Sequence, residues 1–490
     1  MDPVRRLALS CLAVLAASVA LSGAGASDTR LVDAAKRSDT DAVRRLLAQK
    51  ADVNTTHGDG TTALHWAAHR DDAELASLLI AAGANVNAPN DVGATPLWAA
   101  TSNRGTAAVE VLLRAKANPN LALPSGETPL MTASRSGDLR AVTLLVAAGA
   151  SVNAREHARG QTALMWAVSQ QHSDVVKVLV DARADVHLRS NVRPQVVNRG
   201  GDGNNSLTSA NPPDIFTIPQ GGYTALLFAA RQGDLESTRT LLAAGANAND
   251  TAPFGLSALT LAAHSGNGPV ARLLLERGAD ANAPGVGYTA LHAAILRGDL
   301  PLVTALLDHA ADPNTPVLEA SYARRNSADY QLPKAMIGAT PLWLAARFHE
   351  PDMIRTLADR GANARVVMKD GSTIVMAGVL GGSRRNRVAG SFVEEPADAD
   401  QGLLASVRSA VAAGADVTGA NAAGDTALHL AAARGQDAVV QLLVENGASV
   451  DARNKKHETP LALAESGGAG PRAAVRRSTA ALLRKLGATH

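Results

Sequence analysis

The residues whose types and spacing could do chemistry are few. His65 and His69 stand four apart, a spacing that sets two imidazoles on one face of a helix and can hold a metal ion. No Glu and no third ligand accompany them, and two imidazoles alone do not make a zinc site. Gly201, Asp202 and Gly203 suggest a phosphate loop but lack a third glycine, a lysine and a strand-to-helix setting, so they read as flexible loop. Glu394, Glu395, Asp398 and Asp400 gather carboxylates with the wrong spacing for an EF-hand and read as a solvated acidic loop. There is no H-E-x-x-H and no G-x-S-x-G. The expectation is therefore no catalytic residue, no metal and no cofactor.

The elements that would position any site come from an internal repeat. Thr62-Ala-Leu-His recurs as Thr95-Pro-Leu-Trp, Thr128-Pro-Leu-Met, Thr162-Ala-Leu-Met, Thr224-Ala-Leu-Leu, Ser257-Ala-Leu-Thr and Thr289-Ala-Leu-His, with later copies at Thr340, Thr373, Thr426 and Thr459. Uninterrupted copies are 32 to 34 residues apart. Each is followed by a Leu-Leu-like pair and an ending such as Gly83 to Asn87 or Gly278 to Asn282. The Thr hydroxyl suits a helix N-cap, and Pro96, Pro129, Pro341 and Pro460 suit the first helical position, where no amide is needed. Gly137, Gly233, Gly266, Gly298 and Gly435 suit the end of a short first helix. Gly83, Gly149, Gly245, Gly278, Gly361, Gly414, Gly447 and Gly487 suit the end of a second, with Asn or Asp turning the chain onward. One column holds only Ala67, Ala100, Ala133, Ala167, Ala229, Ala262, Ala294, Ala345, Gly378, Ala431 and Ala464. Such a column predicts helices too close together for any larger side chain.

These residues resemble the ankyrin repeat, over about residues 28 to 489. The resemblance implies an all-α solenoid of about 12 helix-turn-helix units with finger-like turns. It also implies that His65, His292 and His429 are structural, bonding the turn backbone. A chain with 46% hydrophobic but only 3% aromatic residues fits many thin, similar layers better than one thick core. A net charge of +2 is too small for a dedicated nucleic-acid binder.

The organisation expected along the chain starts with a signal peptide over 1–26. Its marks are Arg5 and Arg6, an apolar run from Leu7 to Leu21, and Ala24-Gly25-Ala26, with Ser27 as the mature start. An uncleaved anchor is the alternative. The only cysteine, Cys11, lies inside this segment, too early for a lipidation site, so the mature chain has neither disulfide nor thiol chemistry. A periplasmic or secreted location follows, with no stable membrane insertion after cleavage; the composition fits a bacterial protein. A capping unit is expected at 28–56, repeats over 57–380 with loop insertions at 188–221 and 315–337, a third insertion at 381–401 inside a degenerate copy, and C-terminal repeats with a cap over 402–489. The stack is expected to loosen near 373–413, with a hinge there as the alternative to one continuous solenoid.

For function, the aromatics say most. Trp66 and Trp166 share a column with Phe228, one residue after the motif His, while Trp98 and Trp343 replace that His. In ankyrin-like stacks the Trp66 column faces the concave groove, where aromatics can anchor a partner or pack as core under the fingers. His69, Arg70, Arg135, Arg231, His264, Arg297, Arg347 and Arg434 form a polar strip beside it, explained equally by recognition and by solubility. The insertions carry Arg189, Arg193, Arg199, Arg324, Arg325, Arg384, Arg385 and Arg387, read as solvated loop charges. The leading expectation is a non-catalytic adaptor for another protein, using Trp66, Trp166 and Phe228. A structural spacer or protective helper, and a ligand or enzyme site built by the insertions, are the alternatives.

Overall fold

The computed structural model describes residues 28–198, 215–319 apart from 284 and 286, 332, 334–382, 399–466 and 473–489. The signal segment, residues 200–205 and 211–213, Arg199, Arg324, Arg325, Arg384, Arg385, Arg387 and the side chains of the acidic cluster at 394–400 lie outside them. The chain falls into two compact units divided between Asp185 and Val186.

Unit 1 is five helix pairs: α1 Arg30–Lys36 and α2 Thr40–Ala48; α3 Ala63–His69 and α4 Ala73–Ala81; α5 Pro96–Ser102 and α6 Thr106–Arg114; α7 Pro129–Ser136 and α8 Leu139–Ala147; α9 Ala163–Ser169 and α10 Ser173–Asp181. Unit 2 opens with strands β1 Val192–Asn198 and β2 Ile215–Gly221. Seven pairs follow: α11 Ala225–Gln232 and α12 Leu235–Ala243; α13 Ala258–Ser265 and α14 Gly268–Glu276; α15 Ala290–Arg297 and α16 Leu300–Asp308; α17 Pro341–Arg347 and α18 Pro351–Asp359; α19 Ile374–Leu380 and α20 Ala399–Ala412; α21 Ala427–Arg434 and α22 Asp437–Glu445; α23 Pro460–Glu465 and α24 Ala473–Lys485. Odd-numbered helices are the first of each pair. Within each unit every odd helix packs on the next odd helix, and even helices do the same over most of the stack.

Local chemistry places these helices as expected. The hydroxyls of Thr62, Thr95, Thr128 and Thr162 each accept from the amide three residues on, and Thr224, Ser257, Thr340, Thr373, Thr426 and Thr459 repeat this in unit 2. Second helices are capped in the same way by carboxylates of Asp39, Asp72, Asp138, Asp234 and Asp299. Ala67, Ala100, Ala133, Ala167, Ala229, Ala262, Ala294, Ala345 and Ala431 are all 0% exposed, and Ala34 of the first pair joins the column. Gly378 is the exception because the long helix α20 runs against it: a Cβ there would lie 3.2 Å from Val407 Cγ2. The first and second helices of this degenerate copy pack on one another, and the division of the chain falls instead at the first insertion.

The Asn that ends each repeat does more than turn the chain. Asn54 Oδ1 accepts from the Asn85 amide (2.8 Å) while its Nδ2 donates to the Gly83 carbonyl (3.3 Å), tying one repeat to the next. Asn120 does the same with Ser151 (2.7 Å) and Gly149 (3.0 Å), as does Asn153 with Asp185 and Arg183. In unit 2 the ladder runs through Asn249, Asn282 and Asn314, and Asn314 reaches Asn363 and Gly361 past the second insertion. Finger turns also bond backbone to backbone, as from Asp91 N to Asp59 O at 3.0 Å.

One element departs from an all-helical reading. The first insertion is not loop throughout, since β1 and β2 pair antiparallel from Val192 with Gly221 to Asn198 with Ile215. Its base is stapled by Arg189, expected to be a solvated charge: Nη1 donates to the carbonyls of Gly222 (3.0 Å) and Thr251 (2.8 Å), and Nη2 pairs with Asp250 Oδ1 at 2.9 Å. The buried Gly222 carbonyl and the buried Asp250 carboxylate at the ribbon root need donors, and the guanidinium supplies them together with a bond to exposed Thr251.

Most helix ends of both kinds close on a left-handed residue, the end at Gly381 being an extended exception, and where Gly is missing other residues take the strain. Asp71, Arg104, Gln171 and His349 hold the positions of Gly137, and Lys50, Lys116, Arg183 and Ala310 those of Gly83, with φ between 56° and 66°. Gly83 itself, at φ 91°, has open space around it, so Gly83→Ala tests the backbone alone. It should cost about 1 kcal/mol in urea denaturation, and Ala310→Gly, at φ 61°, should recover a similar fraction. Equal melting curves for all three proteins would refute this account of the turns. Asn120→Ala, which breaks two bonds between repeats, should lower stability by roughly 1–2 kcal/mol, read in the same experiment.

Candidate partner-binding face

In unit 1 the residue before the buried Ala and the residue two after it lie on one exposed side of the first helices. Trp66 on α3 and Trp166 on α9 occupy the first of these positions, and both are half-buried. Each carries a cation from the preceding repeat: Lys36 Nζ lies 5.0 Å from the Trp66 ring centre, and the Arg135 guanidinium carbon 4.7 Å from that of Trp166. Between them the column holds only Ala99 and Thr132. Arg135 is held in place by Glu127 Oε1 at 3.3 Å, an oxygen that also accepts from Thr132 Oγ1 at 2.8 Å. His69 meets the Trp66 ring edge-on at 6.2 Å, and Arg70 is exposed. Cation–π contacts of this kind contribute about 0.5–1 kcal/mol each at exposed sites. They fix ring orientation more than they stabilise the fold.

Unit 2 treats the same positions differently. Phe228 is 5% exposed, and its ring meets Tyr223 edge-to-face at 5.5 Å, with Arg231 over both rings. Phe228 is thus core, and this corrects its expected place as a surface anchor. Its covering residue, Tyr223, immediately precedes the N-cap Thr224. Tyr288 precedes Thr289 in the same way, and its hydroxyl lies 3.1 Å from His264 Nδ1. In unit 1 that position holds Thr61, Ala94, Glu127 and Gln161, none of which can roof the helix face with a ring. The signal was present in the sequence: the residue before the cap decides whether the face is covered. Arg297 Nε donates to the His264 carbonyl at 2.6 Å and Arg347 Nη1 to that of Leu380, so in unit 2 these cations finish helix ends. Arg434 on α21 is exposed.

The histidines are structural. His65 Nδ1 faces the Thr62 amide (3.2 Å) and hydroxyl (2.8 Å), and Nε2 donates to the Ala94 carbonyl of the next finger at 2.9 Å. His429 repeats this with Thr426 and the Glu458 carbonyl. Among the described residues no group of three or more His, Cys, Asp or Glu could hold a metal ion.

Profiles of the ankyrin repeat family match residues 31–122, 103–190 and 216–317 as blocks of repeats and residues 423–455 as a single repeat. The chain belongs to the ankyrin-repeat family. This ankyrin-repeat protein is also similar to the solved ankyrin repeat domain of human ASB11, at 27% identity and a TM-score of 0.40, over 51% of this chain and 98% of that one. No curated protein matches it.

The motif His of the repeat at Thr289 is a special case. His292 is completely buried; Nδ1 accepts from the Thr289 amide at 3.2 Å, but Nε2 makes no well-aligned hydrogen bond, with only the Ala339 and Thr315 carbonyls acting weakly on the ring. At His65 the next finger brings its carbonyl directly, whereas after His292 the chain detours through the second insertion before reaching Ala339. Burial holds the His292 pKa at about 4, against the weaker pull of the Ala339 and Thr315 carbonyls, and burial lowers that of His65 as well. The unfolded chain binds a proton at His292 below about pH 6.5 and the folded chain only near 4. Stability is therefore full above that upper value and falls as the pH drops towards the lower one, by a loss on the order of 3 kcal/mol. Hydrogen exchange in α15 should accelerate over that window and do so much less in His292→Gln. An identical pH response in the two proteins would reject the assignment.

Proposed function

We propose that this ankyrin-repeat protein is an exported, non-catalytic scaffold that holds another protein against the first-helix face of unit 1. Ankyrin repeats generally mediate protein–protein interaction. The observation that carries the reading here is the pair of half-buried indoles, Trp66 and Trp166, each oriented under a cation and left unroofed by the residues before the caps. Rings already ordered in this way bury area on binding at small entropic cost. His69, Arg70 and Arg135 surround them, while Arg231, His264 and Arg347 belong to the separate and more closed face of unit 2. Export is supported by Arg5, Arg6, the apolar run to Leu21 and the Ala24-Gly25-Ala26 site. No helix among the described residues is long and apolar enough to cross a membrane.

Two measurements test this. The N-terminus of the protein recovered from its own cells should begin at Ser27. Crosslinking in the exported fraction should capture a defined protein, with the yield falling at least about tenfold for Trp66→Ala/Trp166→Ala, as loss of a central aromatic anchor implies. An undiminished yield from a normally folded double variant would exclude this face.

A further inference from the structure

We infer that the two indoles of unit 1 are unequal anchors, Trp166 the stronger, and that Glu127 is the positioning residue responsible; the inference rests on the binding role proposed above and ranks the residues of that same face. Neither ring is tethered through its nitrogen, because Nε1 of Trp66 and of Trp166 is buried without a hydrogen-bond partner. Ring orientation therefore rests on packing and on the cation beside each ring, Lys36 at 5.0 Å and Arg135 at 4.7 Å.

The two cations are held differently. Lys36 and Arg135 occupy the same place in their repeats, seven residues after Thr29 and Thr128 at the N-cap positions. The residue before each cap is a carboxylate, Asp28 in one repeat and Glu127 in the other. Asp28 is engaged by Arg30, whose Nε donates to Oδ1 at 2.7 Å and Nη2 to Oδ2 at 2.6 Å. Lys36 is left on its flexible stem with no ion pair or side-chain hydrogen bond among the described residues. Glu127 is more enclosed, its side chain 16% exposed. Its Oε1 accepts from the Thr132 hydroxyl at 2.8 Å and pairs with Arg135 Nη2 at 3.3 Å. Thr132 is buried, so the carboxylate is fixed from the helix side before it meets the guanidinium. A planar guanidinium tied at one end to a fixed carboxylate has few ways to lie on a ring.

A side chain already ordered in the free protein loses less conformational freedom when a partner covers it. A partner meeting Trp166 finds ring and cation in place, whereas at Trp66 binding must also order Lys36. Glu127 needs no contact with the partner, because it acts through Arg135. Thr61, Ala94 and Gln161 hold its position before the caps of α3, α5 and α9 and offer no carboxylate. The ranking is independent of the net charge of the face, since Glu127 and Arg135 neutralise one another.

The test uses the full mature chain with fluorinated tryptophan, the resonances being assigned by replacing each Trp in turn with Phe. Glu127→Gln keeps an acceptor for Thr132 and removes the charge that holds Arg135. It should shift or broaden the Trp166 fluorine resonance, as should Arg135→Ala, and neither should move that of Trp66. The protein crosslinked to the unaltered chain, once isolated, is the binding probe. Trp166→Ala should weaken its binding at least about tenfold and Trp66→Ala less than about fivefold, the division between a dominant anchor and an ordinary contact. Glu127→Gln should weaken it about two- to fivefold, the scale of one cation–π contact at an exposed site. Glu127→Gln/Arg135→Ala should bind no more weakly than Arg135→Ala alone, because the carboxylate acts through the guanidinium. Unchanged melting of each variant secures the comparison. A Trp166 resonance indifferent to Glu127→Gln, additive losses in the double variant, or a loss from Trp66→Ala as large as that from Trp166→Ala would each overturn the inference. The two readings fail separately. If both tryptophans matter equally and Glu127→Gln changes nothing, the face stands and this assignment falls. If binding ignores both tryptophans, the face falls and the ranking with it.

Discussion

The structure depends on the close approach of consecutive first helices across a row of methyl groups. A side chain larger than Ala at Ala67, Ala100, Ala133 or Ala167 would meet the neighbouring helix, and each of these residues is wholly excluded from solvent. Because that one position must face inward, the helix rotation is fixed for the whole unit. The residue before each Ala and the residue two after it are then turned to the same outer side, three apart on the helix. Stacking sets the second of these in one repeat above the first of these in the next, which is how Lys36 comes to lie over Trp66 and Arg135 over Trp166. The candidate face is a geometric consequence of the smallest side chains in the molecule.

Close approach alone would leave the repeats free to slide, and hydrogen bonds fix their register. Asn54, Asn87, Asn120 and Asn153 in unit 1 each accept from a backbone amide of the following repeat, and Asn249, Asn282 and Asn314 do so in unit 2. At the corresponding positions His187, Arg365, Thr418 and Asp451 replace the amide, and Asp451 Oδ1 still accepts from the Thr489 amide at 3.1 Å. His187 is immediately followed by the first insertion, and Arg365 precedes the degenerate copy.

What could be read in advance follows from how local each constraint is. Thr62, Pro96, Gly137 and Ala67 act within one or two turns of their own helices, so type and period sufficed to place them. The Asn ladder is not legible in the sequence because Asn also suits a turn by itself, and nothing in one repeat shows that its amide reaches into the next. The ribbon of β1 and β2 is not legible in the sequence because Pro194, Pro219 and the nearby glycines are breakers in isolation, and pairing between segments separated in sequence is not a local property. Arg189 reads as a loop charge for the same reason: its partners Gly222, Asp250 and Thr251 lie a full repeat or more away. Left-handed Asp71, Arg104 and Gln171 hid the helix ends that Gly would have marked.

Phe228 shows how a single position redirects a surface. It stands in the column of Trp66 and Trp166, yet it is buried because Tyr223, just before the cap, folds over it. The N-cap backbone is extended, so the residue preceding it is carried to the edge of the first-helix face. A ring there closes the face, while a small or polar residue leaves it open. At Glu127 the same position goes further, since its carboxylate bonds both Thr132 and Arg135 and so holds the guanidinium on Trp166. The column of aromatics supplies the material of a binding surface, and the residues ahead of the caps decide where that surface is available.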